Sequence, residues 1–392
     1  MLKAIIFDLD GVIIDSEPQH AKAALNIFRK HGADIDDDYP VGFIGSSTGH
    51  MVDTAIKELN LSVSPEDLLE EMETEKRNIL KDEGYLISEG IVTLLKDLYH
   101  SGYHLAIASS SSPSEIEKAV KTLNIKKYFK KQISGSEVPN PKPSPDIFEL
   151  ALRELGVNPK EAMVVEDSDF GVEAAKAAGI TCVGYINPHS GNQSLKSADV
   201  LLESFAGIDH RFFKNVHSRS TGNPVTIADT KRLFIREMST DDVAKVYEIY
   251  SNPAVKKYIP DIDEYLETEI EKQAAYIKNV YSFYGYGVWG VFSKTSKQLI
   301  GKCGIENQKI DGKEEISLSY LLDEEHWGYG YALECCHAVF EFARSELDIK
   351  RIVALIDKEN ARSIRTAKNL NMSFEKEIEQ NGRLFDLYAI AL

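Results

Sequence analysis

Two carboxylates stand two residues apart in Phe7-Asp8-Leu9-Asp10-Gly11-Val12, directly after an apolar run. At the C-terminal end of a buried parallel strand, where open α/β sheets place their ligand sites, such acids repel one another unless a divalent cation lies between them. Mg²⁺, with oxygen ligands and a substrate phosphate, is the natural choice, and it screens the phosphate so that an anionic Asp can attack it. A second pair, Glu166-Asp167, ends the apolar run 162–165 and would complete the metal shell. Lys142, in Asn140-Pro141-Lys142-Pro143, supplies a cation for the nucleophile and the transferring group. Ser109, ending the run 105–108, offers a hydroxyl to a phosphoryl oxygen, and Ser110 and Ser111 extend that loop. Asp-x-Asp-Gly alone is often a turn, and Lys-Pro alone says almost nothing. The four elements in this order describe one phosphoryl-transfer site, where positioning and charge neutralisation do most of the catalysis.

A second constellation lies far downstream. Trp327-Gly328-Tyr329-Gly330-Tyr331-Ala332 follows a strand-like run at 316–322 and precedes a long helical pattern. Glycines let a backbone approach a ligand closely, and amide N–H groups converging at a helix N-terminus favour a pyrophosphate. Another strand-like run, 352–356, leads into Asn360-Ala361-Arg362-Ser363 and a further helix.

The elements that must position these residues divide the chain of 392 residues. The spacing predicts a first domain at 1–213, a linker at 214–230 rich in turn formers, and a second domain at 231–392. Charge shifts across that boundary, from net −13 before Lys214 to net −4 after it. In the first domain the runs 4–7, 105–108, 162–165 and 181–184 are apolar on consecutive residues, as parallel strands covered on both faces are. Ser112-Pro113-Ser114-Glu115 is a capping box, and Gly179 closes the helix that begins near Phe170. The stretch 16–87 reads as a charged helical cap inserted into a core of 1–15 and 88–213. In the second domain strands are expected at 233–237, 288–292, 299–305, 316–322, 352–356 and 384–390, and helices at 241–250, 332–345 and 361–370.

With these motifs placed, the first domain resembles the haloacid dehalogenase superfamily, in its branch of beta-phosphoglucomutase-like phosphatases. The resemblance implies a Rossmann-like α/β fold with a parallel sheet and helical cap. Asp8 is then the nucleophile that forms an aspartyl-phosphate, and Asp10 the general acid/base. Ser109 and Lys142 are the second and third motifs; Glu166 and Asp167 bind Mg²⁺ with Asp8 and the Asp10 carbonyl. His20 and Ser110 are the expected substrate contacts. The second domain resembles the GNAT acetyltransferases, in the branch that acetylates the amino terminus of ribosomal proteins, an α/β fold with a mixed, splayed sheet. That resemblance implies that Gly328, Tyr329, Gly330, Tyr331 and Ala332 bind the pyrophosphate of acetyl-CoA, with Asn360 and Ser363 beside the cofactor arm and thiolate.

Departures from both patterns shape the expected activities. The acids suit metal-dependent phosphoryl transfer rather than dehalogenation. Mutases of the first family carry an Arg in the cap loop that grips a second phosphate, and the loop here, Gly45-Ser46-Ser47-Thr48-Gly49, has none, which favours a phosphatase. In the second family's pattern Ala367 replaces a general-acid Tyr, Ser317 a Glu base, and Asn371 a helix-ending Gly. Glu315, Tyr320 and Ser363 are the fallback polar groups. The expectation is a bifunctional enzyme acting on a small phosphorylated metabolite and on an amine, either a small molecule or a protein N-terminus. The alternatives are a mutase in the first half, or an acetyl-CoA-binding module without turnover in the second.

Composition narrows the partners. Lys and Arg total 45 against 62 Asp and Glu, a net charge of −17 with no compensating basic run, which argues against a nucleic-acid binder. The apolar start is too short for a signal peptide, and no stretch approaches the ~20 apolar residues of a membrane span. The four cysteines, Cys182, Cys303, Cys335 and Cys336, form no CxxC pair and read as too sparse for a disulfide framework or a zinc site. Reduced thiols in a cytoplasm are expected.

Overall fold

The computed structural model describes every residue except 44–47, 192, 259–264 and 381. Its contacts divide the chain into Met1–Thr221 and Gly222–Leu392.

In the first unit, strands β1 (Ala4–Phe7), β2 (His104–Ser109), β3 (Phe129–Ser134), β4 (Ala162–Glu166), β5 (Thr181–Tyr185) and β6 (Val200–Leu202) form one sheet in the order β3-β2-β1-β4-β5-β6. All pairings are parallel. The strands are apolar on consecutive residues because both sheet faces are covered. Ile5 and Phe7 pack with Leu94, Leu98 and Phe213 on one face, and Ala4 and Ile6 pack with Phe148, Ala151 and Val172 on the other. Helices α4 (Ile91–His100), α5 (Pro113–Thr122) and α8 (His210–Ser220) bring residues to the first face; α6 (Asp146–Leu155) and α7 (Asp169–Ala177) serve the second. The chain order reverses direction across the sheet at β1, the switch point where such folds open a crevice. Helices α1 (Glu17–Lys30), α2 (Thr48–Glu58) and α3 (Pro65–Glu83) form the cap around a separate core containing Phe28, Val52 and Leu68. Of the cap loop without Arg, Gly45, Ser46 and Ser47 lie outside the described residues.

In the second unit, β7 (Thr226–Asp229), β8 (Leu233–Arg236), β9 (Val288–Ser293), β10 (Leu299–Ile310), β11 (Lys313–Leu322), β12 (Arg351–Asp357), β13 (Ser373–Gln380) and β14 (Arg383–Ala391) make a mixed sheet ordered β13-β14-β12-β11-β10-β9-β8-β7. The pairing of β11 with β12 is parallel and the others are antiparallel. Helices α9 (Val243–Ser251), α10 (Pro253–Lys256), α11 (Leu266–Tyr276) and α12 (Ser282–Tyr284) precede β9; α13 (Tyr331–Glu346) and α14 (Ala361–Asn369) flank β12 in sequence.

The segment expected to link the halves is largely ordered secondary structure instead. Phe213, Val216 and His217 bury one face of α8, which carries that helix to Ser220, and β7 pairs with β8 as an edge strand. The turn formers act only between Thr221 and Pro224. Gly179 and Asn371 end their helices in the left-handed region, with φ of 72° and 60°.

Candidate active sites

The first site is assembled at the strand ends. Asp8 follows β1 and donates its backbone N–H to Val165 O at 3.0 Å, which fixes it beside the end of β4. Lys142, from the loop between β3 and α6, reaches Asp8 Oδ1 at 2.7 Å, Glu166 Oε1 at 2.5 Å and the Ala108 carbonyl at 3.1 Å. Its ammonium is buried between two carboxylates. Burial alone would pull Lys142 down, but Asp8 and then Glu166 hold it above the usual lysine range.

Asp10 is held from β2. Ser109 Oγ and Ser111 Oγ both donate to its Oδ2, at 3.3 and 2.6 Å. Ser109 therefore reaches Asp10, a contact that its expected role as a phosphate donor did not include. Ser190, from the loop after β5, donates its hydroxyl to Asp167 Oδ2. Glu166 is 1% exposed, and its second oxygen accepts from Ser168 Oγ and from the backbone N–H groups of Asp167 and Ser168.

Asp8, Glu166 and Asp167 each offer a carboxylate oxygen, and these oxygens lie within 4.8 Å of one another. Burial, followed by Glu166, raises Asp167 to about 7. Burial also raises Asp8 well above the carboxylate range, although Lys142 opposes it. Three buried acids against one ammonium are a donor set short of positive charge, and a hard divalent cation fits it.

Two glycines let this cluster close. A Cβ on Gly11, at φ 79°, would sit 1.9 Å from Asp167 Oδ2, and a Cβ on Gly171 would sit 1.9 Å from Glu166 Cδ. Gly171→Ala is therefore expected to push Glu166 off Lys142 and cost about 10²-fold in kcat, the scale of a 1 Å misplacement. Phosphate-release kinetics check it, and full activity in that variant would show that Glu166 tolerates displacement.

His20 and Ser110 line a cavity of about 810 Å³ above these residues, together with Glu17 and Lys76. Lys76, on α3, is a cap-side cation that sequence reading missed, because nothing separates it from the other charges of that helix. Burial first, and then Lys76, take His20 from 6.5 to about 4, so it is neutral near pH 7. A group whose folded value lies below its unfolded one stabilises the fold above 6.5, and that contribution is lost as pH falls toward 4. His20→Gln is expected to flatten the acid limb of the stability curve across that window, read from melts at stepped pH. An unaltered limb would remove this assignment.

The second unit holds the glycine loop. Gly328 and Gly330 take φ of 84° and 78°, and Gly330 caps α13. Open space beside Gly328, where an added Cβ meets nothing within 4 Å, leaves room for a close ligand. Arg232 braces the loop. It donates to the Tyr329 carbonyl at 2.8 Å and to Glu334 Oε2 at 2.6 Å, and its guanidinium lies 4.4 Å from the centre of the Tyr331 ring. Strands β11 and β12 are in register at Ser317 and Val353, and the loop follows β11 in the chain. Asn360 Oδ1 accepts from the Ser363 N–H at 3.1 Å, so Asn360 is the N-cap of α14 and presents Ser363 in its first turn. Tyr320 is pushed up to about 12 by burial, against which Ser363 and Thr366 act. The loop, the helix N-terminus and the neighbouring strands fit a pyrophosphate-bearing cofactor.

The profile of haloacid dehalogenase-like hydrolases matches residues 5–185. A phosphorylated carbohydrates phosphatase of Thermotoga maritima is 31% identical over 208 residues, 52% of this chain and 92% of that protein. The chain belongs to the haloacid dehalogenase-like hydrolases. A fructose-1-phosphate phosphatase of Escherichia coli is also 31% identical, over 46% of this chain and 94% of its own. Among solved structures, a beta-phosphoglucomutase-like protein of Thermotoga maritima is 30% identical with a TM-score of 0.47, covering 52% of this chain and 95% of that one. The acetyltransferase (GNAT) domain profile matches residues 232–373. This haloacid dehalogenase-like hydrolase thus joins a phosphatase-type domain to a GNAT acetyltransferase domain. No helix among its described residues is long and apolar enough to cross a membrane.

Proposed function

We propose that the first unit is a Mg²⁺-dependent phosphatase of small, sugar-phosphate-like metabolites, and the second an acetyl-CoA-dependent N-acetyltransferase. One observation carries the first reading. Lys142 Nζ is bonded at once to Asp8 Oδ1 and Glu166 Oε1, which fixes one oxygen of Asp8 and leaves the other to attack phosphorus. The attack gives an aspartyl-phosphate on Asp8. Asp10, with Oδ2 engaged by Ser109 and Ser111, keeps Oδ1 to carry a proton to the leaving oxygen and then to take one from water. Asp8, Glu166 and Asp167 would hold Mg²⁺, which would supply charge neutralisation for the phosphoryl oxygens. Lys142 adds to that neutralisation, while Lys76 and His20 meet the rest of the ester from the cap.

Lys76 also gives the mutase reading a specific support, because a cap-side cation can hold a second phosphate. Incubation with a hexose 1-phosphate separates the two. A phosphatase releases inorganic phosphate; conversion to the 6-phosphate would establish the mutase. A panel of phosphate esters with Mg²⁺ then ranks substrates.

In the second unit, the Gly328–Gly330 backbone and Arg232 support the reading of acetyl-CoA binding, and Ser363 and Tyr320 are the hydroxyls nearest in role to the absent general acid at Ala367. Acetyl-CoA is expected to raise the melting temperature of the full chain, and an amine panel to yield acetylated product. Stabilisation without product would favour a binding module, and no stabilisation would remove the acetyl-CoA reading.

A further inference from the structure

Three of the four cysteines of the chain, Cys303 and the adjacent Cys335 and Cys336, read from the sequence as too sparse for a zinc site, meet in the core of the second unit. Cys303 projects from β10; Cys335 and Cys336 lie in α13, just beyond the glycine loop. All three are fully buried, their sulfurs lie within 4.8 Å of one another, and Cys303 Sγ is 3.8 Å from Cys336 Sγ. Three thiolates about 2.3 Å from one ion in a trigonal plane stand about 4.0 Å apart. The cluster is thus preformed to within small side-chain adjustments.

A second observation points the same way. Cys303 is in register with Trp289 on β9, and Trp289 is fully buried with an indole N–H that has no hydrogen-bond partner among the described residues. Buried N–H groups are rarely left unpaired, and a donor beside a metal–thiolate centre offsets its negative charge.

We propose that Cys303, Cys335 and Cys336 form a trigonal all-sulfur site for a soft monovalent ion, Cu(I). Hard cations need oxygen ligands, and Zn²⁺ in structural sites takes four. Here the described cluster offers three sulfurs and no His, Asp or Glu. Soft thiolates select Cu(I). The copper stays Cu(I) throughout, and each thiol that coordinates releases its proton to solvent. Bound there, the ion ties β10 to the first turns of α13, the helix that presents the glycine loop.

The test loads the full reduced chain with Cu(I) under anaerobic conditions, both after purification and by expression with added copper, against a chromophoric Cu(I) chelator. The expected result is one ion retained per chain, an ultraviolet thiolate-to-copper absorption band, and sulfur-only first-shell scattering in X-ray absorption. Cys303→Ala and Cys336→Ala should lose the ion, while Cys182→Ala, outside the cluster, retains it. Far-ultraviolet circular dichroism identifies a variant that fails to fold; the absorption measurement on the unaltered protein then stands by itself. No retained copper in either preparation, equal retention in folded Cys303→Ala, or nitrogen and oxygen scatterers in the first shell would each overturn the site.

Discussion

Asp8→Asn is expected to lower kcat for phosphate-ester hydrolysis by roughly 10⁴-fold or more, while the metal-free protein melts at the same temperature or higher. The first half follows from the role of Asp8: an amide oxygen is a poor nucleophile, and with covalent attack gone only binding and charge neutralisation remain. The second half follows from the electrostatics. Burial holds Asp8 well above the carboxylate range, because three acids share one ammonium. An acid whose folded value exceeds its unfolded one adds stability below the unfolded value and loses it as pH rises through the folded one. A neutral Asn removes that loss near pH 7 while keeping the shape of the side chain. Stabilisation by added Mg²⁺ should shrink in the variant, since one ligand oxygen has lost its charge. Phosphate release and paired melts with and without Mg²⁺ measure all three effects. Retained turnover with the fold intact would remove Asp8 from the role of nucleophile.

The sequence made the catalytic strands legible because their physics is uniform. Both faces of β1, β2, β4 and β5 are buried, so each is an uninterrupted apolar run, and the polar residue that ends it marks the crevice. Asp8, Ser109 and Glu166 were found that way. Four strands escaped, β3, β6, β7 and β13, and each lies at the end of its sheet. An edge strand pairs on one side only and keeps a solvated face. Ser373–Gln380 reads Ser-Phe-Glu-Lys-Glu-Ile-Glu-Gln and is exposed over most of its length. Charge of that kind discourages edge-to-edge pairing, and it also hides the strand from any apolar pattern.

The parts of the sites that escaped did so for a different reason. Ser190 and Lys76 sit on a loop and a cap helix that no motif singles out, and their importance arises only when the fold carries them to Asp167 and to the cavity. The cysteine cluster needs Cys303 on a strand and Cys336 on a helix, 33 residues apart in sequence, to be packed together. By contrast Asn371 and Gly179 were legible, because a left-handed helix end is a local demand that few residues meet.

Lys142→Met is expected to cost about 3 kcal/mol of stability near pH 8 without metal, with little loss near pH 4, and to abolish measurable phosphatase turnover. Among the described residues the lysine is the sole ammonium bonded to both Asp8 and Glu166, and these partners sit at 10% and 1% side-chain exposure. Removing it leaves two buried carboxylates with no counter-charge. They respond by holding protons, and Asp8, already raised by burial, rises further above its unfolded value. Below about pH 4 the acids are protonated in either state and the variant matches the parent. As pH rises, the unfolded chain ionises freely while the folded one does not, and the deficit grows. Mg²⁺ should recover much of that stability, because a divalent charge among Asp8, Glu166 and Asp167 substitutes for the ammonium. It should not recover turnover, since Lys142 also fixes the oxygen of Asp8 that does not attack. Melts across pH with and without Mg²⁺, beside phosphate release, separate the two effects. A variant as stable as the parent near pH 8 without metal would mean that the acids are not ionised together in the folded protein.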